Sequence, residues 1–494
     1  MKYLIGYDIG TSSIKATLLE IETGKMVDAL NSPDTEMEIL SEKHGFAEQH
    51  PERWWEELVL ATRKLKERTS FKPDEIAGIG ISYQMHGLVC VDKDLQVIRP
   101  SIIWCDSRAV EIGKKAFHEL GEHFCLEHFL NSPGNLTASK LKWVKDNEPE
   151  LFERIRYFML PGDFIAMRLT GEATTTVSGL SEGILWDFPA KKVASSLLDH
   201  YGIPESMIPA LVPQFGVQGR VNEFAASILG FKSGTPVTYR AGDQPNNAYS
   251  LNVLEPGEVA ATAGTSAVVY GVSGSPDHDP KSRVNSFVHV NHADGSPRYG
   301  VLLCVNGAGI LNSWLRKNLF SGSTYNEINA IAATAPVGSA GLRIFPFGNG
   351  AERVLENIDK GASFTHMDFN RHDRSHLARA AQEGIVFALQ YGMEVMEGMG
   401  MEMKTVRAGY ANMFLSPLFA ETFAATTGCK VELYNTDGAL GAARAAGVGS
   451  GSYPDHRASF RGMNVVKTYD PPRDSQAYLD SYAQWKDELG RVIQ

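Results

Sequence analysis

The sequence predicts an α/β protein of two domains, and three observations carry that prediction. The chain has 494 residues, about three times a common single domain, so one core would be too large. Its first 30 residues alternate apolar strand patterns with Gly-containing breaks. The tripeptide Gly-Thr-Ser occurs at 10–12 and again at 264–266, each time inside an apolar strand-turn-strand pattern. Each copy would open one half of a duplicated fold. Pro256 and Gly257, just before the second copy, put the boundary near residue 252. The domains expected are 1–252 and 253–494.

In chain order, YLIGYDIG, SIKATLLEI and KMVDAL read as three strands of an antiparallel meander. PERWWEELVLATRKLKER reads as a helix with Pro51 at its first position and Trp54, Leu58, Ala61 and Leu65 at helical spacing. The Trp54 and Trp55 rings are expected in the core. IAGIGIS follows as a short buried strand. LVCVDKDLQVIRPSIIW reads as a hairpin turning near Asp92 to Asp94, and a helical region is expected over about 137–170.

Composition narrows the function. Lys and Arg number 47 against 58 Asp and Glu, a net charge of -11, which disfavours nucleic acid and anionic membranes as partners. The five cysteines are scattered, with no CxxC pair. They are expected to be buried free thiols in a reducing compartment, and a cytoplasmic location follows as the expectation. No stretch reaches the ~18 apolar residues of a membrane span. His289 and His292 lie three apart in a strand-like context and carry no metal reading.

Neither a GxxxxGK[ST] loop nor a GxGxxG after a strand is present, so phosphate would need another grip. A tight Gly-Thr-Ser turn offers backbone N–H groups and two hydroxyls to an anion. Phosphoryl transfer also needs a divalent cation and a carboxylate to accept the attacking hydroxyl's proton. Asp8, ending an apolar strand, and Asp243, after the strand TPVTYRAG, are the candidates. Taken singly, each carboxylate and each turn has a structural reading too, as a cap or a hairpin. A sugar would want hydrogen-bonding groups beside an apolar wall. Gln84, Met85 and His86 have that chemistry, and Trp104 and Asp106 could add a wall and a carboxylate.

Ten segments in order resemble the FGGY family of carbohydrate kinases, most closely its xylulokinases, within the actin, hexokinase and Hsp70 superfamily of ATPases. They include GYDIGTSSIK, GISYQMHGLV, IIWCDSR, AGDQPNNA, TAGTSAVVY, GAGILNSWLRK and DGALGAARAAG. The resemblance implies two ribonuclease-H-like α/β domains, each a mixed sheet flanked by helices, with ATP and sugar meeting in an interdomain cleft. It implies ATP and Mg2+ as cofactors, transfer to D-xylulose at O5, and Asp243 as general base. Asp8 would act through Mg2+ and its waters, with Asp243 also near the metal. Gln84, Met85, His86, Trp104, Asp106, Asp243 and Gln244 would face the sugar. Thr11, Ser12, Gly264, Thr265, Ser266, Gly309, Ser313, Gly409 and Asn412 would serve the nucleotide. The partners expected are a small sugar and ATP, and the resemblance allows a homodimer. The alternatives are another substrate of the family (ribulose, fuculose, rhamnulose, gluconate or glycerol), or a catalytically weak sugar-binding relative. The chain departs from the family at VRAGYANMFLSPLF, where Tyr410 and Met413 replace a glycine-rich adenosine loop and are expected to crowd it.

Overall fold

The computed structural model describes residues 2–493; the outermost residue of each expected domain lies outside them. The chain forms two compact units. The first holds residues 1–252 together with 287–298 and 436–463, and the second holds 253–286, 299–435 and 464–494. The packing thus adds two later segments to the first unit, which a single cut near 252 does not describe.

The first sheet has six strands: β1 (Tyr3–Ile9), β2 (Ile14–Glu20), β3 (Met26–Ser32), β4 (Ile76–Tyr83), β5 (Phe215–Arg220) and β6 (Pro236–Gly242). Their order is β5-β6-β4-β1-β2-β3. β1, β2 and β3 pair antiparallel, as the sequence predicts, while β1, β4 and β6 run parallel. β1 and β4 are buried along nearly their whole length, which a parallel centre covered on both faces requires. One cover is helix α1 (Pro51–Thr69), whose Trp54, Leu58, Ala61 and Leu65 are fully buried.

The other cover comes from late in the chain. A side chain on Gly6 or Gly80 would collide with the backbone carbonyl of Ala439 or Ala442. Those two residues lie on the Gly438–Gly449 helix, GALGAARAAGVG. Strand glycines against a helix of small residues let the two backbones approach closely. This explains why residues 436–463 belong to the first unit.

The second sheet has seven strands: β7 (Val259–Ala263), β8 (Ala267–Ser273), β9 (Asn285–Val288), β10 (Tyr299–Val305), β11 (Thr405–Gly409), β12 (Lys430–Tyr434) and β13 (Val465–Tyr469). Their order is β9-β10-β8-β7-β11-β12-β13. β7, β8 and β10 are antiparallel, β7, β11 and β12 parallel, and β13 antiparallel to β12. This repeats the first sheet's plan of three antiparallel strands, two parallel additions and an antiparallel edge. The Gly-Thr-Ser copies occupy corresponding β1–β2 and β7–β8 turns.

Two expectations need correction, and one holds with additions. The 137–170 region is not continuous helix: α2 (Thr137–Asn147) and α3 (Pro161–Thr170) are separated by a short helix and a strand at Tyr157–Met159. That strand is too short for a period to show. The hairpin is present as expected: the Asp92 N–H donates to the Gln96 carbonyl, the Ile98 N–H to that of Cys90 and the Leu88 N–H to that of Ile102, and its arms pair further, Val89–Val91 with Tyr157–Met159 and Ser101–Ile102 with Glu48–Gln49. All five cysteines are free, yet only Cys90, Cys125 and Cys429 are buried; Cys105 is exposed and Cys304 half-buried. Among the described residues no helix is long and apolar enough to cross a membrane.

Candidate active site

The first unit gathers its polar residues at the carboxyl ends of three parallel strands. Asp8 on β1 is in register with Ser82 on β4, and Ser82 with Ala241 on β6. Two residues further on the chain has left the sheet, at Gln84 and at Asp243. The sheet therefore brings Asp8, Gln84 and Asp243 together at one edge, where open α/β sheets present their ligand sites.

Asp8 is half-buried, and Ser82 Oγ donates to its Oδ1 at 2.7 Å. Burial raises its pKa; the Ser82 hydrogen bond opposes this, Asp437 adds to it and Lys15 lowers it. Lys15 and Asp437 form their own ion pair at 2.7 Å, and Asp437 caps the Gly438–Gly449 helix by accepting from the Leu440 N–H. A Cβ on Gly438 would lie 2.9 Å from Asp8 Cγ, so the positive end of that helix abuts the carboxylate.

Asp243 is the first residue of the Asp243–Ser250 helix, directly after β6. Its carboxyl is pushed up to about 7, first by burial and next by Asp8, against hydrogen bonds from Gln244. Asn246, on the same helix, donates to the Gly438 carbonyl at 2.8 Å.

The first Gly-Thr-Ser turn is tied to the residues assigned to the sugar. Trp104 Nε1 donates to Thr11 Oγ1 at 3.0 Å, and Thr11 Oγ1 donates to Gln84 Oε1 at 3.2 Å. Gln84 Nε2 then donates to Gln49 Oε1, which also accepts from the Trp54 indole. Trp104 is 45% exposed, leaving part of its face open as a wall, and Ser12 is exposed at the turn's tip. Met85 is buried, and the His86 ring lies 5.5 Å from that of Phe287. Asp106 is buried; it accepts from the Ala47 N–H and pairs with Arg108 at 2.7 Å. The carboxylate expected toward the sugar is thus engaged within the protein.

In the second unit, Gly264, Thr265 and Ser266 form the β7–β8 turn. The Ile310 N–H donates to the Thr265 carbonyl at 3.0 Å, and a side chain on Gly309 would collide with the Gly264 carbonyl. Gly309 lies in the first turn of the Ala308–Asn318 helix, with Ser313 exposed one turn on. Gly409 ends β11 beside this turn, and a Cβ on Gly264 would lie 3.5 Å from Asn412 Nδ2. Met413 does not crowd the loop, because it packs into the core, while Tyr410 is exposed. Sequence reasoning missed Glu352, whose two oxygens accept from the Asn306 and Gly307 N–H groups at 2.9 Å and fix the entry to that helix.

Residues 3–249 match the FGGY family of carbohydrate kinases, N-terminal domain, and residues 259–450 its C-terminal domain. The chain belongs to the FGGY family of carbohydrate kinases. It is similar to the xylulose kinase of Bacillus subtilis, 30% identical over 455 residues, which cover 91% of this chain and 89% of that one. The xylulose kinase of Escherichia coli is 29% identical over 451 residues, covering 90% and 89%. A solved xylulose kinase from Rhodospirillum rubrum superposes with a TM-score of 0.88 at 25% identity, covering 99% of each chain. As an FGGY kinase the chain is an enzyme that takes a sugar and ATP. Its two mixed sheets are the paired ribonuclease-H-like architecture expected of that family.

Proposed function

We propose that this FGGY kinase transfers the γ-phosphoryl group of ATP to O5 of D-xylulose, giving D-xylulose 5-phosphate and ADP. The observation that carries this reading is the similarity to kinases named for xylulose, over about nine tenths of the chain. Supporting it, Asp8, Gln84 and Asp243 lie at the carboxyl ends of adjacent parallel strands of one sheet.

Asp243 accepts the O5 proton as the O5–P bond forms and the bond between the γ-phosphorus and the β-phosphate oxygen breaks. A pKa of about 7 suits a base at neutral pH, strong enough to take the proton and largely ionised just above that value. Trp104 gives the sugar's C–H face a wall, and Met85, His86 and Gln84 face its hydroxyls. The Gly264–Ser266 turn, braced by Gly309 and Asn412, offers N–H groups and hydroxyls to phosphates, as does Gly10–Ser12.

Asp8 and Asp243 suit a magnesium ion. Mg2+ keeps several waters and binds through one or two carboxylates, and Asp8's pKa, raised by burial and by Asp437, marks negative charge in want of a cation. When bound it would neutralise charge on the phosphates. A cytoplasmic site is supported by the five free thiols. A homodimer rests on the family resemblance alone, and light scattering decides it.

The test is a panel of ribulose, fuculose, rhamnulose, gluconate, glycerol and D-xylulose assayed with Mg-ATP. D-xylulose is expected to exceed the others in kcat/KM by about tenfold or more. Equal or faster turnover of another sugar overturns the substrate.

A further inference from the structure

His86 has a φ of 60°, a left-handed conformation that a residue with a side chain holds only when its surroundings fix it. Two buried ionisable side chains from different helices hold the two ends of this residue. Its N–H donates to Glu182 Oε1 at 3.3 Å, and its carbonyl accepts from Lys140 Nζ at 2.8 Å. The ring is held as well: Nδ1 lies 2.9 Å from the Glu182 carbonyl. A carbonyl only accepts, so Nδ1 carries the proton. Glu182 ends the Val177–Glu182 helix and Lys140 lies on α2; both side chains are within 1% of full burial.

Each side chain also reaches a second part of the site. Lys140 Nζ donates to the Ile103 carbonyl at 3.0 Å, immediately before Trp104, and so ties the Met85–His86 segment to the Trp104 segment. Glu182 Oε2 and Met85 Cγ both occupy the space that a side chain on Gly242 would need, each 2.5 Å from a Cβ built there. Gly242 precedes Asp243, so Glu182 spans from the His86 peptide to the peptide that presents Asp243.

We propose that Glu182 and Lys140 are positioning residues of the sugar site: Glu182 sets His86 against Asp243, and Lys140 sets it against Trp104. The proposal rests on the reading that Met85 and His86 meet the sugar. Burial raises the Glu182 carboxyl well above its ordinary range, with Asp243 and Asp163 adding to this. Gln is a close substitute for Glu182, since it has nearly the same size and its carbonyl can accept the same N–H.

The experiment compares Glu182→Ala, Glu182→Gln and Lys140→Met by steady-state kinetics, on whichever sugar the wild type turns over. A wrong choice of sugar then overturns the proposed substrate and leaves this test intact. Glu182→Ala and Lys140→Met are expected to raise the sugar KM by about tenfold or more while the ATP KM stays within about twofold. Glu182→Gln is expected to stay within about threefold of wild type for both. A folded Glu182→Ala with an unchanged sugar KM overturns the role of Glu182, and the same result for Lys140→Met overturns that of Lys140. Sugar and ATP KM rising together in either variant mark a merely structural role and overturn it too. If Glu182→Ala does not fold, Glu182→Asp replaces it, since a side chain one methylene shorter loses the His86 N–H. A raised sugar KM in Asp but not Gln supports the assignment, and equal values overturn it.

Discussion

Ser82 Oγ and Asp8 Oδ1 lie 2.7 Å apart, bonded across neighbouring parallel strands in register. One carboxylate oxygen is thus fixed while burial and Asp437 make the charge costly. A bound cation would relieve that cost. Asp8→Asn is therefore expected to lower kcat by about 10²-fold or more and to raise the Mg2+ concentration needed for half-maximal rate. Ser82→Ala, which only frees the carboxylate to turn, is expected to have a smaller effect in the same direction. A Mg2+ titration of both variants checks this.

Asp243 gives two pH signatures. As the base it must be ionised, so kcat/KM is expected to fall about tenfold per unit as pH drops below about 7. Asp243→Asn is expected to lower kcat by about 10²-fold or more with sugar binding retained. Stability runs the other way. Because the folded pKa is raised above the ordinary carboxylate value, the folded protein holds a proton between that value and about 7 that the unfolded chain has lost. This group's contribution therefore declines as pH rises through that window and stays low above it. Asp243→Asn is expected to melt a few degrees higher than wild type at pH 8, and calorimetry at two pH values checks the sign.

Gly242 has φ -55° and ψ 153°, a conformation open to alanine, so Gly242→Ala tests space and not backbone strain. Its methyl would meet Glu182 Oε2 and Met85 Cγ. The expected outcome is a sugar KM raised by about tenfold, with the ATP KM unchanged.

Gly309→Ala is the counterpart in the second unit. The added methyl would strike the Gly264 carbonyl and push the Gly264–Ser266 turn from its place. An ATP KM raised by about tenfold or more is expected, with little change for the sugar, at a stability cost of about 1–3 kcal/mol. Nucleotide titration and thermal melts separate the two effects.

The meander β1–β3, helix α1 and both Gly-Thr-Ser turns were legible because a period of two or 3.6 and a glycine break are local signals. The strand at Tyr157–Met159 was not, since three residues show no period. Glu182 was hidden as well: in TTTVSGLSEG nothing marks one acid as buried beside a site. Lys140 left a trace. It shares the buried face of α2 with Thr137, Leu141 and Val144, and a lysine on such a face is a reason to look for its partners.

By itself the sequence determined the family, the duplicated strand-turn-strand opening and the identity of Asp8 and Asp243 as the carboxylates worth following. Tertiary structure alone decided what surrounds them. Burial raises Asp243 to about 7, Asp106 is taken up by Arg108, and His86 is held by residues 54 and 96 positions away. The reason is physical: strand and turn patterns are written between near neighbours, whereas desolvation and long-range hydrogen bonds depend on which distant segments the sheet register brings into contact.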